Sequence, residues 1–127
     1  MHSMTIETDY DGNYVGSSYG WATARDWAKF GLLYLHKGNW NGEQVFDASW
    51  VDYAVQPTNS SNGRYGAQIW LNAGSFLPDV PKNVFSFNGF QGQRVYMFPS
   101  KELVVLRLGL QELDYNAMLS EINTTIK

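Results

Sequence analysis

Apolar and polar positions change rhythm along this chain. The run Val84–Leu108 reads as three short strands in series: Val84–Asn88, Arg94–Phe98 and Leu103–Leu108. β-Branched and aromatic residues fill them, and Gly89-Phe90-Gln91-Gly92 and Pro99-Ser100-Lys101-Glu102 separate them, the strand-and-turn signature. The pattern on either side is helical. Ala24, Ala28, Gly31, Leu32 and Leu35 recur at helix spacing and predict a helix over Thr23–Leu35, with Thr23 as N-cap and Gly38 as C-terminal stop. Asp47 caps a second predicted helix over Ala48–Val55, which Pro57 ends. Asp114 caps a third over Tyr115–Ile126, where Tyr115, Met118, Leu119, Ile122 and Ile126 share a face. Asn41-Gly42 is a hairpin turn pair, and Tyr65–Asn72 reads as a further strand.

Helix, helix, antiparallel strands and helix make an α+β fold: an antiparallel sheet of about three to four strands with packing helices. Residues 1–127 form a single domain, and residues 1–22 are an irregular lead-in rich in turns such as Asp11-Gly12. Gly31 inside the first helix costs about 1 kcal/mol against Ala, so it implies close packing against another element.

Composition narrows the function. Aromatic residues make up 16% of the chain, which argues for a packed core. The net charge of −3 carries no basic stripe, which disfavours nucleic acid as a partner. No apolar run reaches membrane-spanning length, and Met1-His2-Ser3-Met4-Thr5 has no basic-then-apolar leader pattern. There is no Cys and there are only two His, so no metal site and no cofactor is expected.

The residues form no complete catalytic constellation. His36 falls at a helix end, where it caps, and His2 lies near a terminus. The acids Asp9, Asp11, Asp26, Asp47, Asp79 and Asp114 read as turn and cap residues, and Arg25-Asp26 as a helix-start ion pair. Gly89-Phe90-Gln91-Gly92 lacks the helix that a phosphate loop must open. Its glycines leave backbone with little side-chain cover, open to a ligand. Ser17-Ser18-Tyr19, beside glycines, reads as a turn of satisfied hydroxyls or as lining of a ligand cleft.

The run from Gly16 to Leu35, with Gly38–Gln44, Trp50-Val51, Gly89–Gln93, Pro99-Ser100 and Val104-Val105, resembles the C-terminal portion of the serine β-lactamase-like hydrolases. That family includes class C β-lactamases, D-Ala-D-Ala peptidases, esterases and 6-aminohexanoate-dimer hydrolases. Ala22–Asp26 and Gly92-Gln93 place the resemblance nearest the last branch. The resemblance implies attack on an ester, amide or peptide carbonyl by a Ser of a Ser-x-x-Lys motif, with the Lys and a Tyr moving protons. It places Phe87-Asn88-Gly89 at the family's third motif, with the Phe90 N–H as oxyanion donor. Phe87, Asn88, Gln91, Ser17, Ser18 and Tyr19 become the substrate-side candidates.

Two departures qualify the resemblance. Phe87 stands where the family has Lys or His, so the usual cation is missing and β-lactamase or peptidase recognition is disfavoured. No Ser here is followed three residues later by Lys, and no Tyr-x-Asn occurs. The chain is therefore expected to be a C-terminal segment without nucleophile or base, inactive alone, pairing as a homodimer or with a missing N-terminal part. The competing expectation is a non-catalytic binding or assembly module. Family members are often extracytoplasmic, and these residues name no compartment.

Overall fold

The computed structural model describes residues 1–16 and 18–126. Its centre is a four-stranded antiparallel sheet of β5 (Trp70–Leu71), β6 (Phe85–Asn88), β7 (Arg94–Phe98) and β8 (Leu103–Arg107), in that spatial order. The three strands read from Val84–Leu108 are all present within a residue of their expected bounds. Simple hairpins connect them, so register follows from turn length: Phe87 faces Val95, Arg94 faces Arg107, and Tyr96 lies between Ser86 and Val105.

Strand alternation sorts the side chains. Phe85, Val95 and Met97 point to one face and join Ala54, Ile69 and Leu71 in a buried cluster. Tyr96 and Phe98 point to the other face and meet Val80, Val84 and Leu119. Helix α1 (Ala24–Leu35), together with α2 (Ala48–Ala54), covers the first face, and α3 (Tyr115–Thr125) covers part of the second. The α+β reading holds, with helices on both sides of the sheet.

The caps act as expected. Thr23 Oγ1 accepts from the Asp26 N–H, Asp47 Oδ1 from the Ser49 N–H, and Asp114 Oδ1 from the Ala117 N–H. At the end of α1, His36 is the C-cap, and Gly38 at φ +83 returns its N–H to the Leu33 carbonyl. Asn41-Gly42 joins β3 (Asn39–Trp40) to β4 (Glu43–Gln44) with both residues at positive φ.

Three local readings change. The expected strand Tyr65–Asn72 contributes only Trp70–Leu71 to the sheet. Its first half folds into a turn: the Gly66 N–H bonds the Ile69 carbonyl, and the Ala67 N–H bonds the Ala54 carbonyl at the end of α2. The lead-in is more ordered than its turn residues imply. β1 (Thr5–Ile6) pairs with β2 (Gly20–Trp21), and Asp9 Oδ1 closes the tip by accepting from the N–H groups of Asp11 and Asn13. Those donors hold the Asp9 carboxyl below its ordinary pKa.

The third change concerns Asp26, whose ion-pair partner is Lys29 at 3.1 Å and not Arg25. Asp26 is buried and also accepts from Ser3 Oγ at 2.6 Å, the Ser3 N–H at 2.9 Å and the His2 N–H at 3.2 Å. One carboxylate thus ties the chain start to the first turn of α1. The Ser3 donors first, and Lys29 after them, depress its pKa well below the usual 3.8.

Two outcomes follow for stability. A carboxyl with a depressed folded pKa stabilises the fold above its unfolded pKa, and that share is lost as pH falls below about 4. Asp26→Asn should lower Tm at pH 7 and flatten the acid side of a Tm-against-pH series. A parallel displaced curve of unchanged shape would contradict the assignment. At Gly31, a Cβ would stand 2.9 Å from both Val104 Cγ1 and Val95 Cγ1. Gly31→Ala should therefore destabilise the chain despite its better helix propensity, by roughly 1 kcal/mol in urea unfolding, because overpacking of about 1–3 kcal/mol exceeds the propensity gain.

Candidate functional site

The hairpin tip between β6 and β7 carries the backbone candidates. Gly89 is extended (φ −99), Phe90–Gly92 makes one 3-10 turn, and Gln93 leads into β7. Gln91 (φ 53) and Gly92 (φ +82) occupy the left-handed region in succession. A non-glycine residue there costs about 1–2 kcal/mol, so surrounding contacts must hold it.

Those contacts fall on the carbonyls. The Gly89 N–H closes the turn onto the Gln93 carbonyl at 2.8 Å. Arg94 Nη1 donates to the carbonyls of Gly89 (3.1 Å) and Gln93 (2.9 Å). The Phe90 carbonyl accepts from the Gln93 N–H, and the Gln91 carbonyl from Gln93 Nε2, each at 3.4 Å. The Gly92 carbonyl accepts twice, from Arg107 Nη1 at 3.1 Å and from the Tyr115 hydroxyl at 2.9 Å. Every carbonyl from Gly89 to Gln93 is thereby engaged. Among the described residues, the N–H groups of Phe90 and Gln91 donate to nothing. Satisfied carbonyls beside N–H groups without an acceptor are the polarity an anionic oxygen requires.

The glycines serve different ends here. Gly92 needs its positive φ, and a Cβ would press on the Tyr115 hydroxyl at 2.9 Å. Gly89 has ordinary extended geometry, and its missing side chain admits Gln93, whose Cβ would stand 3.1 Å from a Gly89 Cβ.

A groove of about 600 Å³ opens on the α3 face beside this tip, with Asn88 and Gly89 in its wall and Arg94, Tyr96 and Tyr115 next to them. Ser86 is buried there and donates to Asn88 Oδ1 at 2.9 Å. Burial pushes the Tyr96 phenol pKa up, so the hydroxyl stays neutral. Arg64, stacked on the Phe76 ring at 4.2 Å, lies at the same groove. The two arginines give the groove positive charge.

The other candidates are scattered. Phe87 sits on the opposite face from Asn88, its ring 5.2 Å from Phe30 and 4.9 Å from Tyr34 under α1. Phe90 extends its ring outward, 84% exposed. Ser18 and Tyr19 lie in the lead-in hairpin; the Ser18 N–H bonds the Val15 carbonyl, and Tyr19 (φ 62) accepts from the Glu7 N–H. Among the described residues no hydrogen bond links them to the tip. Ser17 lies outside the described residues.

Sequence reading missed Gln93, Arg94, Arg107 and Tyr115. Period-two alternation could have placed Arg94 and Arg107 on the face of Asn88. Nothing in the local pattern ties Tyr115, 23 residues away, to Gly92. Among the described residues no cluster of His, Cys, Asp or Glu could hold a metal ion, and no helix is long and apolar enough to cross a membrane.

Comparison with known proteins adds the fold. No family model matches the chain, and no curated protein does. Among solved structures it is similar to a provisionally assigned 6-aminohexanoate-dimer hydrolase from Bacillus anthracis, with a TM-score of 0.68 and 24% identity. The match covers 95% of this chain and 32% of that one, so this chain spans about a third of the length of its relative. At this identity the match shows the fold alone.

Proposed function

We propose that this chain is the C-terminal, oxyanion-side segment of a serine hydrolase that cleaves ester or amide bonds through an acyl-enzyme. The observation that carries the reading is the polarity of the β6–β7 tip. Its carbonyls are all tied back, while the Phe90 N–H opens a 3-10 turn without an acceptor. When a serine attacks a carbonyl, charge builds on the carbonyl oxygen. A fixed N–H that meets this charge contributes roughly 3 kcal/mol in the transition state. Gly89 delivers the chain to that position, and Asn88 supplies an adjacent amide at the groove. The shared fold supports the reading, which, because these residues contain no Ser-x-x-Lys and no Tyr-x-Asn, requires a nucleophile and base from other polypeptide.

A second reading, assembly, is favoured by the open side of the sheet. β8 is an edge strand, Leu-Val-Val-Leu-Arg, with unpaired backbone along its outer side. Ile6, Tyr14, Tyr19 and Trp21 are exposed on the lead-in hairpin. Edges and patches of this kind invite pairing, either with a second copy or with the remainder of a longer protein.

Mass spectrometry after treatment with a fluorophosphonate or penicillin should show no covalent adduct on this chain alone. A stoichiometric adduct would overturn the division of labour. In a longer protein that carries this segment behind a Ser-x-x-Lys, Phe90→Pro removes the N–H at a position where the first turn tolerates Pro and the extended Gly89 accommodates it. That variant should fold, and its kcat should fall about 100-fold or more; unchanged kcat would sink the oxyanion role. Light scattering of the isolated chain at micromolar concentration should report a dimer, and a monodisperse monomer would count against the assembly surface.

A further inference from the structure

We propose that Tyr115 and Arg107 are positioning residues that hold the Phe90–Gly92 turn in the shape that leaves the Phe90 and Gln91 N–H groups without an acceptor. The proposal rests on the oxyanion reading of that turn and assigns its geometry to α3 and β8. A hairpin tip with two successive left-handed residues, one of them Gln91, does not keep that shape through its own bonds. The intrinsic bond across it, from the Gln93 N–H to the Phe90 carbonyl, is long at 3.4 Å. Three tethers between the tip and the rest of the chain compensate.

The Tyr115 hydroxyl, on the first residue of α3, donates to the Gly92 carbonyl at 2.9 Å. Arg107 Nη1, on the last residue of β8, donates to the same oxygen at 3.1 Å and also to the Gly109 carbonyl, while Nη2 donates to the Gln111 carbonyl. Gln93 uses its side-chain amide as a surrogate strand: Oε1 accepts from the Gly109 N–H at 2.8 Å and Nε2 donates to the Gly109 carbonyl at 3.0 Å. Rotating the Gly92 peptide so that its carbonyl faced outward would break the Tyr115 and Arg107 bonds together. The fit is tight, since a Cβ on Gly92 would stand 2.9 Å from the Tyr115 hydroxyl and 3.2 Å from Arg107 Nη1.

This arrangement explains why Arg94 and Arg107 face each other across β7 and β8, a like-charge pair that would otherwise repel. Each guanidinium is spent on tip and loop carbonyls. Arg94 in addition lies over the Tyr115 ring at 5.6 Å, so the ring of one tyrosine meets β7 while its hydroxyl holds the tip.

Tyr115→Phe isolates the hydroxyl, because it keeps the ring against Tyr96 and under Arg94. In the full chain, nitrogen-15 relaxation should show lower order parameters at Phe90–Gly92. Exchange of the Gly89 amide, which closes the turn, should accelerate about five-fold, as expected for one lost hydrogen bond. The Leu119 amide in the core of α3 should be unaffected, which separates loss of positioning from general destabilisation. Arg107→Lys keeps the charge but loses the fork, and it should loosen the same residues from the β8 side. Unchanged tip dynamics in both variants would overturn the proposal whatever the catalytic outcome of Phe90→Pro. In a longer, active protein Tyr115→Phe should lower kcat with KM unchanged, and a fall in substrate affinity alone would contradict the assignment.

Discussion

The alternation of side chains along β6 and β7 is the constraint on which the rest of the structure depends. Successive residues on a strand cannot share a face. Phe85 and Met97 are therefore committed to the core under α1 and α2, and Ser86 and Tyr96 to the face under α3. Phe87 and Asn88 are neighbours in sequence and point to opposite sides of the sheet. The helix-facing side is dry and aromatic, with Phe87 wedged against Phe30 and Tyr34. The other side carries hydroxyls, an amide and two guanidinium groups. The same pleat that builds the core thus segregates the chemistry onto one surface.

Close approach of α1 fixes the sheet beneath that surface. Gly31 lets the helix backbone descend onto Val95 and Val104, and Asp26 at the other end of the helix gathers the backbone and hydroxyl of Ser3. Both residues spend local helix stability, one in propensity and one in desolvation of a carboxylate, and both recover it in tertiary contact. The sheet is held rigidly on the α1 side, so the strain of the β6–β7 tip has a firm base. A backbone dipole acts as a fixed charge only when its peptide cannot rotate.

Much of this fold was legible in the residues. Capping side chains, the Asn41-Gly42 turn and the three strands of Val84–Leu108 depend on contacts within a few positions, and local pattern specifies them well. Tyr65–Asn72 was misread because its run of apolar residues fits a strand, whereas the free carbonyl at the end of α2 captures the Ala67 N–H and folds the run back. The pairing of Thr5–Ile6 with Gly20–Trp21 was invisible because a two-residue ladder has no period to detect. The site was legible only in part. Gly89, Phe90 and Asn88 lie together at the β6–β7 tip, while alternation turns Phe87 to the other face. The residues that shape the tip, Arg107 and Tyr115, are connected to it only through the folded sheet.

A consequence concerns where cation chemistry resides. The sequence resemblance to β-lactamase-like hydrolases implies a Lys or His where this chain has Phe87. In the folded chain Phe87 is engaged in packing, while Arg94 and Arg107 stand side by side on β7 and β8 next to the tip, on the face that Asn88 occupies. Their guanidinium groups donate to carbonyl oxygens of the tip. These bonds fix the orientation of the backbone: each carbonyl drawn inward leaves the N–H of its own peptide, on the following residue, directed away from it. A tip built this way offers the partial charge of its backbone N–H groups.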